Sequence, residues 1–170
     1  MSMETNLHGR LRNTSLPYSS GLLPLFEAVA NAIHSIEEAE LSESNGKISI
    51  EILRDTQSNL DIKNNSKKPG PEAVAEIFGF KIVDNGIGFN DVNMKSFLTL
   101  DSEHKAAKGG RGVGRLLWLK AFSRVAVSSI YASTDGEHKS RTFTFNAASG
   151  VVDEKNDDAP AGSKISTIVH

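Results

Sequence analysis

The sequence predicts an α+β fold, a two-layer α/β sandwich in which helices cover one face of a mixed, mostly antiparallel sheet. The first observation is the order of the elements, because helical and strand patterns do not alternate as they would around a parallel sheet. The second is the length of 170 residues, which suits one domain with a proper core. The third is an ordinary globular composition, with 38% hydrophobic and 24% charged residues.

The predicted elements follow in order along the chain. An amphipathic helix covers about 22–40, with Pro24 in its first turn and one stripe of apolar residues at three- and four-residue spacing. Two strands come next, at 47–54 and within 73–83. The later elements are a short helix at 116–122 and strands at 124–132, 141–146 and 164–170. The turn at Asp135-Gly136 joins the first two of these strands into a hairpin.

Three segments fall outside these elements. Residues 1–21 are polar and punctuated by Pro17 and Gly21, so we expect an arm or a short helix followed by a loop. Residues 89–114 form a long connection with one weak helical stretch, and connections of this length usually have a function, such as that of a lid. Residues 156–162 are predicted to be an acidic loop.

Composition excludes several classes of function. The chain has no cysteine, which rules out disulfides, thiolate nucleophiles, zinc fingers and iron–sulfur clusters. The net charge of −2 gives no overall attraction to nucleic acid or to an anionic membrane. No apolar run approaches the ~20 residues that span a bilayer, and the first residues lack the apolar region of a signal peptide. The expected location is therefore cytoplasmic, with no membrane partner.

Two short motifs place carboxylates where they can bind or react. Glu27 and Asn31 are four residues apart on one helical face, where a carboxylate and an amide can activate water and hold a metal–phosphate group. Asp84 ends a strand, and an aspartate there can accept a hydrogen bond from an exocyclic amine while Gly86 and Gly88 leave room for a flat ring. Taken alone, the first motif has the alternative of a polar surface pair and the second that of an ordinary Asn-Gly turn.

A third motif is the glycine-dense loop at 109–114, which precedes a helix. Glycines let the backbone approach an anion, and a helix N-terminus offers free N–H groups, so the loop indicates phosphate binding. It is not a Walker A loop, because Arg115 and Leu116 stand where lysine and serine or threonine are required. The alternative for this loop alone is a flexible linker.

Taken together, the motifs resemble those of the Bergerat-fold (GHKL) ATPases, the superfamily of gyrase B, the ninety-kilodalton heat-shock chaperones, histidine kinases and MutL. The E-x-x-x-N-A box of that family is similar to residues 27–32, and its D-x-G-x-G box to residues 84–88. Its lid-end glycine box is similar to residues 109–114. Gly162-Ser163 resembles the Gly-Thr that precedes the family's final strand. The resemblance covers nearly the whole chain.

The resemblance implies a role for each matching residue. Glu27 would be the general base that deprotonates water, and Asn31 would complete the shell of a Mg²⁺ ion that bridges the phosphates. Asp84 would bind the adenine amino group, and Ser163 would help to hold a water beside it. Two glycines would leave space for adenine: Gly86 and Gly88. Backbone N–H groups of the glycine-dense loop would bind the phosphates, at Gly110, Gly112, Val113 and Gly114. Two lysines of the lid would add positive charge against the phosphates: Lys105 and Lys108. ATP and Mg²⁺ are the implied cofactors.

The same resemblance divides the chain into an N-terminal arm at 1–21 and an ATP-binding domain at 22–170, with the lid at about 89–114. Arg115 would add to the positive charge that the lid lysines bring to the phosphates. His34 stands where relatives such as MutL carry aspartate. It is either a surface residue or a change in the water network near adenine.

The implied function is that of an ATPase whose lid closes on Mg-ATP and so drives a conformational change or homodimerisation of attached domains. The chain ends where such a domain ends, so we expect an N-terminal fragment of a longer protein, with a DNA or protein client undetermined. One alternative is a module that senses ATP or ADP without turnover. The other is the catalytic domain of a histidine kinase, although His8 has no long helix around it to serve as a phospho-acceptor.

Overall fold

The order of helices and strands matches the α+β fold that the sequence predicts. We describe the protein from a computed structural model, in which residues 6–42, 44–55, 76–99 and 114–170 are described. Along the chain these residues form α1 (Leu7–Asn13), a 3₁₀ turn (Tyr18–Ser20), α2 (Leu23–Glu38), β1 (Ile48–Arg54), β2 (Ile77–Asp84), α3 (Asp91–Leu98), α4 (Gly114–Ala121), β3 (Arg124–Ala132), β4 (His138–Asn146), β5 (Gly150–Asp158) and β6 (Ser166–Val169).

The sheet of the described residues has six strands in the order β1-β2-β6-β3-β4-β5, and each neighbouring pair is antiparallel. β3 and β4 form the predicted hairpin, whose turn contains Gly136 with φ of 87°. The last strand of the chain, β6, inserts between β2 and β3. The end of β2, which carries the predicted Asp84, therefore lies next to a strand from the far end of the sequence.

The core lies between one face of the sheet and helices α2 and α4. The indole N–H of Trp118 on α4 donates to the carbonyl of Pro24 at 3.0 Å, which ties the two helices together. α1 packs against this core through Leu7 and Leu11. The buried apolar cluster comprises Ala28, Ala32, Ile82, Met94, Trp118, Leu119, Val125, Val127, Phe143 and Phe145.

Helix α2 is buried through a different face from the one that its large apolar residues predict. Ala28 and Ala32 are buried, whereas Phe26 is 57% and Ile33 is 45% exposed. The small side chains of the two alanines suit a close approach of α2 to the sheet. The loop after β2 also lies close to α2, because a Cβ on Gly86 would overlap the helix backbone at Ser35. The apolar stripe that the sequence predicts along this helix therefore includes exposed residues, and the two alanines make the buried contact.

Strand β5 is missing from the sequence prediction, which placed a loop at 156–162. Residues 156–158 belong to β5, and only the later part is a turn. Most of β5 is exposed and charged, and Asp153 has φ of 55° at a bulge where two residues face Phe143. The bulge and the charged edge remove the alternating pattern by which strands are recognised.

Candidate functional site

The end of β2 places a buried carboxylate beside two hydroxyl groups. Asp84 is 5% exposed, and its Oδ1 accepts a hydrogen bond from the backbone N–H of Gly86 at 2.9 Å. Thr167 lies directly opposite Asp84 on β6, and Ser129 lies opposite Thr167 on β3. Residues directly opposite each other share a sheet face, and the two hydroxyl oxygens are 3.0 Å apart. This group can accept a hydrogen bond from an amine and hold a water next to it.

Helix α2 brings the E-x-x-x-N-A motif against the end of the glycine-dense loop. Glu27 and Asn31 are half-buried and lie one turn apart on the same side of α2. A Cβ added at Gly114 would overlap the carboxylate of Glu27, so a side chain here would displace the carboxylate from this position. Two of the three predicted motifs therefore meet at one point, close to the first residue of α4.

The two glycines after Asp84 let the loop pack between α2 and β3. A Cβ on Gly86 would overlap Ser35, and one on Gly88, whose φ is 79°, would lie 2.7 Å from Ser129 Oγ. Both glycines are buried, and the hydrogen that a side chain would replace faces protein in each. Their predicted role in making room for adenine stays a prediction, and their packing role has a direct steric cause.

The loop backbone is held by hydrogen bonds to the neighbouring elements. The N–H of Ile87 donates to the carbonyl of Ser35 at 2.9 Å, and the N–H of Gly88 lies 3.4 Å from Ser35 Oγ. The N–H of Phe89 donates to Ser129 Oγ at 2.9 Å. Because α2 and β3 each contribute partners, the position of the loop depends on both layers of the fold.

Two asparagines extend this network at either end of the loop. The Oδ1 of Asn85 accepts from the N–H of Lys47 at 2.7 Å, and its Nδ2 donates to the carbonyl of Asn45 at 2.8 Å. The Nδ2 of Asn93 on α3 donates to the carbonyl of Gly88 at 2.9 Å. The Asn-Gly turn is thus a fixed structural element that orients Asp84 within the sheet.

Ser163 and Thr167 occupy different places relative to Asp84. Ser163 lies before β6, where its carbonyl oxygen is 3.0 Å from Nδ1 of His138. Thr167 is the hydroxyl residue opposite Asp84, and sequence reasoning missed it. Both residues follow Gly162, so the register of β6 against β2 was needed to distinguish them. The predicted role of Ser163 stays a prediction.

A pair of substitutions distinguishes these two hydroxyls. We expect Thr167→Val to weaken ATP binding by about tenfold, the effect of losing one buried hydrogen bond, and Ser163→Ala to change it by less than about twofold. Isothermal titration of the two folded variants measures both effects. A larger loss in Ser163→Ala would contradict the placement of Thr167 and support the sequence prediction.

Five of the predicted phosphate-binding residues lie outside the described residues: Lys105, Lys108, Gly110, Gly112 and Val113.

Arg115, which the sequence groups with the lid cations, is directed at the C-terminal end of α3. Its guanidinium donates to the carbonyls of Ser96 at 3.3 Å and Thr99 at 2.6 Å and lies over the ring of Phe97. Burial lowers the pKa of Arg115 to about 10, so it remains a cation at neutral pH. A cation suits a helix C-terminus, where carbonyl groups lack intrahelical partners.

Replacing Arg115 should therefore destabilise the fold. We expect Arg115→Ala to lower the free energy of unfolding by about 1–2 kcal/mol, because two carbonyls lose a charged donor and Phe97 loses its contact. Urea unfolding followed by circular dichroism measures this change. Lys95→Ala on the exposed side of α3 is the control and should change stability by less than about 0.5 kcal/mol. Equal stabilities of the two variants would show that the Arg115 contacts do not hold α3 to α4.

His34 lies on the same side of α2 as Glu27 and Asn31. Its ring is half-buried, and its Nδ1 atom is buried without a hydrogen-bond partner among the described residues. The residue as a whole is only partly exposed, and the surface role that the sequence analysis offers for it stays a prediction. A role of His34 near a bound base stays a prediction.

The donor groups fit a magnesium–nucleotide complex better than a protein-held metal ion. Among the described residues there is no group of three or more His, Asp or Glu side chains that could hold a metal. Mg²⁺ commonly binds through one or two protein oxygens, with phosphates and waters completing its octahedral shell. Asn31 and Glu27 offer such a sparse set next to Gly114, so their chemistry is compatible with Mg²⁺ that arrives with phosphates.

Comparisons with known proteins identify the fold. No family model matches the chain, and no curated protein matches it. The chain is similar to two structures of the ATPase region of Saccharomyces cerevisiae topoisomerase II, one of them bound to ICRF-187 (dexrazoxane). The TM-scores are 0.55 and 0.54, with sequence identities of 14% and 15%. The matches cover 88% of this chain and 37% of each of those chains, so the chain spans little more than a third of their length.

In the described part of the chain, no helix is both long and apolar enough to cross a membrane. The sheet order, the two covering helices and the similarity to the topoisomerase II ATPase region agree with one another. The predicted α+β sandwich is confirmed, and the chain shares the fold of the topoisomerase II ATPase region.

Proposed function

We propose that the chain is a Mg-ATP-binding module that hydrolyses ATP. The observation that carries this proposal is the convergence of the motifs: Asp84 ends β2 beside Thr167, and α2 brings Glu27 against Gly114. One end of this arrangement suits a purine amino group and the other suits phosphates. The similarity to a topoisomerase II ATPase region supports the same function at the level of the fold.

At the base-binding end, Asp84 accepts a hydrogen bond from the exocyclic amine of adenine. Its Oδ1 already accepts from the N–H of Gly86, so the carboxylate is held in one orientation. Thr167 holds a water that bridges the carboxylate and the ring. An acceptor-only carboxylate favours adenine over a purine that carries an oxygen at the same ring position, because two acceptors repel each other.

At the phosphate end, Glu27 orients a water and removes its proton as the water attacks the terminal phosphorus. The bond from that phosphorus to the bridging oxygen breaks, and ADP leaves with the electron pair. Asn31 supplies an amide oxygen to Mg²⁺, which would neutralise charge on the phosphates when bound. Gly114 and the preceding glycine-dense loop supply backbone N–H groups to the phosphate oxygens. Catalysis of this kind depends on positioning and charge stabilisation more than on covalent chemistry.

We further propose that nucleotide binding changes the conformation or dimerisation of domains attached to this one, in the cytoplasm. The match covers 37% of the length of the topoisomerase II ATPase regions, so in those proteins further segments accompany this fold. The client of such attached domains, whether DNA or protein, is left open.

The first test is binding of ATP to the purified chain with and without Mg²⁺. We expect a dissociation constant between about 1 μM and 1 mM, a range that corresponds to about 8 to 4 kcal/mol of binding free energy. Nuclear magnetic resonance would follow the amide signals during the titration. Chemical shift changes at Gly86 and Gly88 would place the ligand at the base-binding end of the site, and a change at Gly114 would place it at the phosphate end. Absence of binding to folded protein, together with absence of ATP-dependent protection from unfolding, would contradict the proposal.

A further inference from the structure

One row of side chains crosses five strands of the sheet at the level of the candidate base-binding site. The register places Asp84, Thr167, Ser129, Arg141 and Asn156 opposite one another in that order, on β2, β6, β3, β4 and β5. Directly opposite residues lie on the same sheet face, so the row is a continuous polar band beneath the 85–90 loop. The proposed function uses only the Asp84 end of this row.

Arg141 is the basic residue of this row, the fourth of its five members, and it is 4% exposed. Its Nη1 donates to the carbonyl of Phe89 at 2.7 Å, and its Nη2 donates to Asp91 Oδ1 at 2.6 Å. Phe89 belongs to the loop that follows Asp84, and Asp91 is the first residue of α3. The Arg141 side chain therefore contacts the chain just before α3, at Phe89, and at the first residue of α3, Asp91.

The other side of the guanidinium is fixed by the sheet. It lies 5.3 Å from the centre of the Tyr131 ring, and the Tyr131 hydroxyl donates to Asn156 Oδ1 at 3.0 Å. Its Nε is 3.3 Å from Glu154 Oε1 but makes no well-aligned hydrogen bond among the described residues. The sheet side of the guanidinium therefore rests on the Tyr131 ring, and its two hydrogen bonds are made to Phe89 in the loop and Asp91 at the start of α3. Burial of a guanidinium costs free energy, and the hydrogen bonds of the two Nη atoms offset part of that cost.

Phe89 is linked to Asp84 through the backbone of the loop between them. Ser129 is the neighbour of Arg141 in the row, and its hydroxyl oxygen accepts from the N–H of Phe89 at 2.9 Å. The N–H and the carbonyl of Phe89 are thus held by adjacent residues of the row. Three residues earlier, Gly86 donates to Asp84 Oδ1. A loop that is fixed at Phe89 keeps the Gly86 N–H directed at the carboxylate, and this sets the orientation of Asp84.

We propose that Arg141 is a positioning residue for base selectivity, because it holds the loop that orients Asp84. This inference rests on the proposed ATP-binding function and adds to it a residue outside the recognised motifs. Arg141 does not touch the base. Its planar guanidinium bridges a carbonyl and a carboxylate at once, which the single ammonium of lysine cannot reproduce with the same geometry.

The test compares ATP with inosine triphosphate, which carries an oxygen in place of the adenine amine. The ratio of the two dissociation constants reports the orientation of Asp84 and does not depend on the fraction of folded protein. We expect Arg141→Met to reduce the preference for ATP by about tenfold, and Arg141→Lys to reduce it by about threefold. Asp91→Ala removes one of the two loop contacts at an 86% exposed side chain and should reduce the preference by about threefold.

Two control variants disturb the same region without touching the loop. Glu154→Gln changes the side chain on β5 that lies next to Nε of Arg141. Lys139 is two residues from Arg141 on β4, and Lys139→Gln breaks its ion pair with Asp158 on β5. Both should keep the wild-type ratio. If Arg141→Met does not fold, Asp91→Ala decides the question, because its side chain contributes little to the core.

The outcomes separate this inference from the proposed function. Wild-type protein that binds neither nucleotide would contradict the proposed function and the inference together. Wild-type protein that prefers ATP, with the same preference in Arg141→Met and Asp91→Ala, would contradict the inference alone. A reduced ratio in both variants and an unchanged ratio in both controls would establish Arg141 as a residue that sets selectivity through the loop.

Discussion

Replacing Asp84 by asparagine is expected to weaken ATP binding by at least about 100-fold while the fold is kept. The N–H of Gly86 requires an oxygen at this position, since it donates to Asp84 Oδ1 at 2.9 Å. The introduced amide satisfies Gly86 with its oxygen and so turns its NH₂ group towards the adenine amine, which places two donors against each other. An unsatisfied buried donor costs about 1–3 kcal/mol, and the charge-assisted hydrogen bond is lost as well.

The matched control for this variant is Asp135→Asn. Asp135 accepts from the N–H of Glu137, two residues further on, at 3.1 Å, so the local backbone geometry is of the same kind. It lies in the exposed β3–β4 turn, far from the candidate site along the strand. Titration calorimetry with ATP should show no change for Asp135→Asn. Unchanged ATP affinity in Asp84→Asn would disprove the assignment of Asp84 to the base.

Replacing Glu27 by glutamine is expected to reduce phosphate release by about 100- to 1,000-fold without changing ATP affinity by more than about threefold. Glutamine keeps the shape of the side chain and its approach to Gly114, but it cannot accept a proton from water. General bases contribute about 10² to 10⁴ to the rate of a reaction. A steady-state phosphate assay beside a binding titration separates the loss of turnover from a loss of binding.

Glu37→Gln is the control on the same helix, because Glu37 is exposed and does not share the side of α2 that carries Glu27. Its turnover should equal that of the wild type. A wild-type chain that binds ATP but releases no phosphate above the Glu27→Gln level would favour a module that senses nucleotide without turnover. Transfer of labelled phosphate to a protein histidine would instead favour the histidine-kinase alternative.

The sequence alone was sufficient for those parts of the site that depend on local spacing. Glu27 and Asn31 share a helical side because they are four residues apart. Asp84 ends a strand because two glycines and an asparagine follow a β-branched run. These features need no knowledge of distant neighbours. The α+β class also followed from the order of the elements, and the similarity to solved ATPase regions confirms it.

The pairing of strands that are distant in the sequence determined which hydroxyl lies beside Asp84. No local sequence pattern predicts that pairing. Thr167, and not Ser163, faces Asp84 because β6 inserts between β2 and β3 with one particular pairing. A change of one residue in that pairing would turn the hydroxyl to the other sheet face.

Tertiary packing likewise decided which charged residues are buried. Arg141 alternates with phenylalanines on β4, where its type alone predicts a surface position. Inside the protein a backbone carbonyl and a carboxylate accept hydrogen bonds from its two Nη atoms. Arg115 is half-buried, and its guanidinium donates to the carbonyls at the end of α3. The sequence by itself therefore determined the fold class and the motif residues. The three-dimensional structure determined their partners, because the cost of burying a polar group depends on which groups lie opposite to it.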